Sequence, residues 1–187
     1  PSKAVYTQYA NTLLAPGDDR FTVAVPHGQS TANLTHIYAL NFQRTRMKEK
    51  IDPGNWELHI GGDAFPIKLI DDSTVSDGTV TEARRVYYIR SGTIDGGVLA
   101  SDTVQYGLVY PDMGILILDA KGISGSARLD LDDTSFAYSS TPVTVSNANT
   151  TAIFKHLSSS DGTNVGYLAA RSKETIHSTH YFIRVKN

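Results

Sequence analysis

Cysteine is absent from the 187 residues, which rules out a disulfide framework and any thiolate metal site. Charge of either sign is sparse and nearly balanced: 17 Lys+Arg against 19 Asp+Glu, a formal net charge of -2 and a pI near 6.3. A dedicated nucleic-acid binder needs a basic excess to displace counterions from phosphates, so the reading is no nucleic acid. Long apolar runs are missing too. Runs such as Ile115-Leu116-Ile117-Leu118 fall far short of the roughly 20 residues of a membrane-spanning helix. No charged and apolar leader of signal-peptide type opens the chain, and no membrane partner is expected. The first residue is Pro1 and the last lies inside a strand pattern, so the expectation is an excerpt of a longer polypeptide that continues past Asn187.

What is present favours strands. With 13 Val, 13 Ile and 19 Thr, plus 10 Tyr, the chain is rich in residues that pack on a pleated surface. Trp56, Leu58 and Ile60 alternate with Asn55, Glu57 and His59, the period of two of a strand with one buried face. The same period runs through Phe21/Val23/Val25, Phe65/Ile67/Leu69 and Val104/Tyr106/Leu108/Tyr110. Val86 to Ile89 and Ile115 to Leu118 are apolar on both parities, which predicts central strands covered on both sides. The alternation of Tyr181, Ile183 and Val185 with Arg184 and Lys186 predicts a strand over 179–187.

Turn chemistry separates these runs: Pro16-Gly17-Asp18-Asp19, Gly61-Gly62-Asp63, Ser76-Asp77-Gly78, Asp95-Gly96-Gly97 and Pro111-Asp112-Met113-Gly114. Asp52-Pro53-Gly54-Asn55 is expected to be a tight reversal joining the segment 34–50 to the strand at Trp56. Helical periodicity is clear only over 146–158, through Ala152, Ile153, Phe154 and Leu157, with Asn147 or Asn149 as N-cap. The expected fold is therefore mainly β, an antiparallel sandwich-like or mixed β domain with at most one or two short helices, as a single unit over 1–187.

Motifs that carry chemistry are few. Phosphate loops, dinucleotide fingerprints, metalloprotease and EF-hand patterns do not occur. Gly122-Ile123-Ser124-Gly125-Ser126 lacks the final glycine of a nucleophile elbow and reads as a glycine-rich turn. His177 and His180, three apart on a strand, face opposite ways and read as surface histidines. Asp71, Asp72, Asp130, Asp132 and Asp133 sit in Ser/Thr-rich turns, where carboxylates ordinarily cap backbone amides. No catalytic residue, cofactor or metal is assigned, and the chain is read as a non-enzyme.

Arg44, Arg46, Lys48 and Lys50 form the sharpest constellation. On a continuous strand from Leu34 they would share the face of Tyr38, Leu40 and Phe42, and four like charges on one face require an acidic partner. Two readings stay open. The four are an inter-subunit contact, or they belong to a rim strand neutralised by the protein's own carboxylates or to a helical turn that scatters them.

The segment Ile37-Tyr38-Ala39-Leu40-Asn41-Phe42-Gln43-Arg44-Thr45-Arg46-Met47-Lys48-Glu49-Lys50-Ile51-Asp52-Pro53-Gly54-Asn55-Trp56-Glu57-Leu58 resembles a recurring element of structural proteins in T4-like tailed bacteriophages, those of marine cyanobacteria especially. Tyr106-Gly107-Leu108-Val109-Tyr110-Pro111-Asp112-Met113-Gly114-Ile115-Leu116-Ile117-Leu118 is similar to a second, and Arg171-Ser172-Lys173-Glu174-Thr175 through Tyr181-Phe182-Ile183-Arg184-Val185-Lys186-Asn187 to a third. The resemblance implies a virion component of tail or baseplate, assembled in the host cytoplasm with copies of itself and other structural proteins, with no activity to carry over. A carbohydrate- or receptor-binding β-sandwich is the alternative, with Trp56 and tyrosines stacking on sugar rings, although the clean alternation around Trp56 favours a core role.

Overall fold

The computed structural model describes residues 2–26, 32–60, 67–81, 84–124 and 166–184. Its elements are α1 (Ser2–Leu13), β1 (Ile37–Asn41), α2 (Arg44–Met47), β2 (Lys50–Ile60), β3 (Ile67–Asp71), β4 (Thr79–Thr81), β5 (Arg84–Thr93), β6 (Gly97–Val98), β7 (Gly107–Tyr110), β8 (Ile115–Asp119), α3 (Ala120–Ser124) and β9 (Tyr167–Lys173). All the strand pairings are antiparallel, in the order β1-β8-β7-β5-β3-β2-β9, with β4 and β6 paired to β5 off that path. The chain is thus mainly β and antiparallel, built as one curled sheet.

Period two decides which side chain goes where. On β8, Leu116 and Leu118 join one cluster and Ile117 the other; on β7, Val109 faces the first while Leu108 and Tyr110 face the second. β5 divides in the same way, with Tyr87 and Ile89 on one side and Val86 on the other. The double-sided apolar runs are therefore interior strands with both faces covered, as their pattern predicts. The first cluster, around Trp56, Leu58, Ile60, Leu69 and Tyr106, fills the concave side of the curl. There the Ile51 amide donates to the Pro111 carbonyl at 3.1 Å, joining the start of β2 to the β7–β8 turn.

The convex side is covered by α1. Tyr6, Tyr9, Ala10 and Leu13 recur at helical spacing and meet Phe21, Val23 and Leu34. The Tyr6 hydroxyl donates to the Leu34 carbonyl at 2.8 Å and accepts from the Phe21 amide at 3.1 Å, and its ring meets Phe21 edge-on. Phe21 and Val23 are buried as their spacing predicts, but Thr22 forms only an isolated bridge to Asn33, and Val25 is exposed.

Asp52-Pro53-Gly54-Asn55 is not a reversal. These residues lie within β2 and form a wide bulge: Ile51 pairs with Ser172 and Trp56 with Ala170, so four residues oppose the single Arg171. Gly54 takes φ +76°, and its amide donates to both oxygens of Asp71, at 2.9 and 3.1 Å. That carboxylate supplies what a turn would otherwise have made locally, and the strand continues through the bulge. The four-residue loop 111–114 does close a hairpin, with Gly114 at φ +66° donating to the Tyr110 carbonyl.

Two expected elements end differently. Residues 174–184 run on from β9 with no strand pairing, turn or bend. The expected helix over 146–158 lies outside the described residues.

Candidate assembly surface

The basic ladder on one strand face does not form. β1 stops at Asn41, the Phe42 amide donates to the Gly114 carbonyl at 2.9 Å, and Arg44–Met47 coil into one helical turn. Burial of Met47 drives this turn: its side chain lies under Gly114, where an added Cβ would sit 2.2 Å from the Met47 sulfur. The turn scatters the four cations. Arg44 Nη1 donates to the Asp112 carbonyl at 2.7 Å, Arg46 projects into solvent, and Lys48 Nζ lies 3.1 Å from Glu174 Oε1. Lys50 opens β2 opposite Lys173, whose Nζ lies 3.2 Å from Asp52 Oδ1. Solvent-exposed pairs of this kind each contribute about 0–1 kcal/mol.

Lys48 is the single non-glycine with positive φ among the described residues, at φ 54°, ψ -117°. Those angles belong to the first corner of a type II′ turn, a position that glycine fills without strain. A lysine there holds its backbone in a costly conformation directly after α2.

The four cations adjoin a sheet edge that spacing alone did not reveal. β9 pairs with β2 on one side, and six of its seven residues are exposed. Beyond Lys173 the chain is tied down at two points. Lys48 pairs with Glu174, and the Thr175 amide donates to Glu49 Oε2 at 2.6 Å, which lowers the pKa of the Glu49 carboxyl. After that it departs from the body, with Tyr181, Phe182 and Ile183 at 85%, 98% and 86% exposure. His177 and His180 are exposed on this segment, in agreement with their reading as surface residues.

The buried carboxylates of Asp71, Asp72 and Asp102 each accept a backbone amide. Asp71 accepts from the Gly54 and Ser73 amides and Asp72 from the Tyr88 amide at 3.0 Å, so these acids cap, as their turn setting predicts. Burial pushes the Asp72 carboxyl up, and the neighbouring Asp71 adds to it. Asp102 takes hydrogen bonds from the Ser91 and Tyr106 hydroxyls and the Val104 amide. Gly122-Ile123-Ser124 lies in α3, with Ile123 buried; Gly125, Ser126, Asp130, Asp132 and Asp133 lie outside the described residues.

Glu57, His59 and Tyr167 form a further ionisable cluster at the β9 margin. The Tyr167 hydroxyl and the Ile94 amide donate to Glu57, His59 Nε2 lies 3.5 Å from Glu57 Oε1, and the His59 and Tyr167 rings meet at 4.1 Å with their planes tilted by 40°. Burial raises the Glu57 pKa, but the bonds from Tyr167 and Ile94 outweigh it and leave it lowered. Hydrogen bonding to Glu57 pushes the Tyr167 hydroxyl up to about 12. Burial lowers the His59 pKa, Lys68 adds to this, and Glu57 opposes it. Every Glu57 oxygen is thus engaged, and the group fastens β9 to β2. No cluster of three metal-ligating side chains occurs among the described residues.

Trp56 is fully buried in the concave core, so its role is packing, as its alternation predicts. An open depression along α1, lined by Lys3, Thr7, Gln8 and Asn11, carries neither carboxylate nor histidine. Among the described residues no helix is long and apolar enough to cross a membrane. Comparison with protein-family models, with curated proteins and with solved structures found no match to this chain.

Proposed function

We propose that this chain is a virion structural protein of a tailed bacteriophage, a tail or baseplate component that acts through protein–protein assembly with copies of itself and with other virion proteins. The phage setting comes from the resemblance of the segments 37–58, 106–118 and 171–187. The assembly role is supported above all by one observation: the exposed edge strand β9 runs on into a segment whose large apolar side chains have no cover from the described residues. Apolar groups so exposed are a cost to an isolated protein and a resource for one that docks. The cations Arg44, Arg46, Lys48 and Lys50 flank the root of that segment and supply electrostatic complementarity to an acidic neighbour.

The test is biochemical and particle-based. Charge reversal at Arg46 and Lys48 lowers assembly, or makes it more sensitive to salt, with the circular dichroism of the domain unchanged. Mass spectrometry of purified particles of the phage encoding the chain finds it in stoichiometric amounts. Abundance in infected cells with absence from purified particles would overturn the reading.

A further inference from the structure

We infer that residues 174–184 are a self-complementary strand, through which two copies of this chain pair antiparallel about a two-fold axis at Thr179. The inference rests on the assembly reading and names one of its partners, a second copy. Three observations carry it.

Residues 174–184 run on from β9 past the end of β2 without turn, bend or strand pairing, so among the described residues their backbone groups lack a ladder. Such a segment completes its hydrogen bonds by strand addition.

The amide of Thr175 is directed at Glu49 of its own body. Amides alternate in direction along a strand, so those of the even-numbered residues point the opposite way, toward a partner.

One register satisfies the side chains. With Thr179 opposite its own copy, Glu174 faces Arg184, Ile176 faces Phe182 and His177 faces Tyr181. This joins opposite charges and matches two large apolar groups that are 81% and 98% exposed in the single chain. It also makes the even-numbered pairs the hydrogen-bonded ones, as the Thr175 amide requires, and places the two Thr179 residues in a non-hydrogen-bonded pair with Cα atoms about 4.5 Å apart.

The absence of native cysteine makes the test clean. Sedimentation equilibrium of the chain shows a dimer, and Ser178→Pro, which removes an amide directed at the partner, shifts it to monomer with unchanged circular dichroism and urea midpoint. Under mild oxidation Thr179→Cys gives a disulfide-linked dimer, since that spacing suits the bond. His177→Cys does not, because its two thiols stand about 13 Å apart along the strand. Arg184→Glu weakens the dimer, and Glu174→Arg added to it restores the affinity. A dimer that survives Ser178→Pro and cross-links no better at 179 than at 177 overturns the inference. So does a chain that is monomeric alone yet present in purified particles, and in both cases the assembly reading stands.

Discussion

The Asp71 carboxylate reaches across from β3 and accepts the Gly54 amide at 2.9 Å, with the Ser73 amide on the same group at 3.0 Å. One buried side chain thereby holds open the bulge that lets β2 continue from the α2 corner to the concave core. Asp71→Ala strands both amides and costs about 3 kcal/mol, whereas Asp71→Asn keeps an acceptor and costs about 1 kcal/mol. Urea unfolding with an unchanged m-value distinguishes these outcomes from a change of fold.

Gly107 tolerates no side chain. It sits at φ +154°, and an added Cβ would lie 2.0 Å from the Ile117 carbonyl oxygen on the neighbouring central strand. Gly107→Ala lowers stability by about 3 kcal/mol or more, because backbone in the middle of a sheet cannot step aside. A thermal melt indistinguishable from wild type would show that this close approach does not exist.

Lys48→Gly stabilises the isolated domain by about 1 kcal/mol, since glycine occupies a type II′ corner without strain and the lost ion pair to Glu174 is exposed. Assembly weakens in the same variant if Lys48 is part of the contact. Chemical denaturation and sedimentation together separate the two effects.

His59 titrates against the fold. Its folded-state pKa is lowered from about 6.5 by burial, so the unfolded chain takes up the proton first as the pH falls. Its contribution to stability is complete above about pH 6.5 and is lost as the pH drops from there through the lower folded-state value. His59→Gln flattens the stability profile across that window. A profile unchanged by the substitution would assign the acid sensitivity to other groups.

Trp56→Ala costs about 3–5 kcal/mol, the range for emptying a large aromatic from a packed core. Titration with host-surface polysaccharide separates the receptor-binding alternative from a packing role: glycan binding lost in Trp56→Phe with full stability retained would favour the former.

Much of the fold was legible in the alternation of side chains. Leu116, Ile117 and Leu118 announce a strand covered on both faces because no soluble edge strand can leave three such residues in water, and the structure buries all three. Trp56, Leu58 and Ile60 were equally plain. The Asp52-Pro53-Gly54-Asn55 reversal failed because turn residues also suit bulges, and the deciding partner, Asp71, lies on another strand. α1 was hidden because its buried stripe of Tyr6, Tyr9, Ala10 and Leu13 is narrow and interrupted by threonines that read as strand formers. The four cations were visible as a charge run, but the helical turn that separates them depends on Met47 packing beneath a glycine in a distant hairpin. β9 was the least legible element, since Tyr167 to Lys173 has no clean alternation and both its faces remain wet.

The fastening of Tyr167 to Glu57, 110 positions apart in the chain, has a consequence for biogenesis. Loop-closure entropy for so remote a contact is met late, so this border of the sheet matures slowly compared with the local β7–β8 hairpin. Until the ribosome has released residue 173, β2 travels with a naked flank, and newly made chains are most prone to mispairing with one another in that interval.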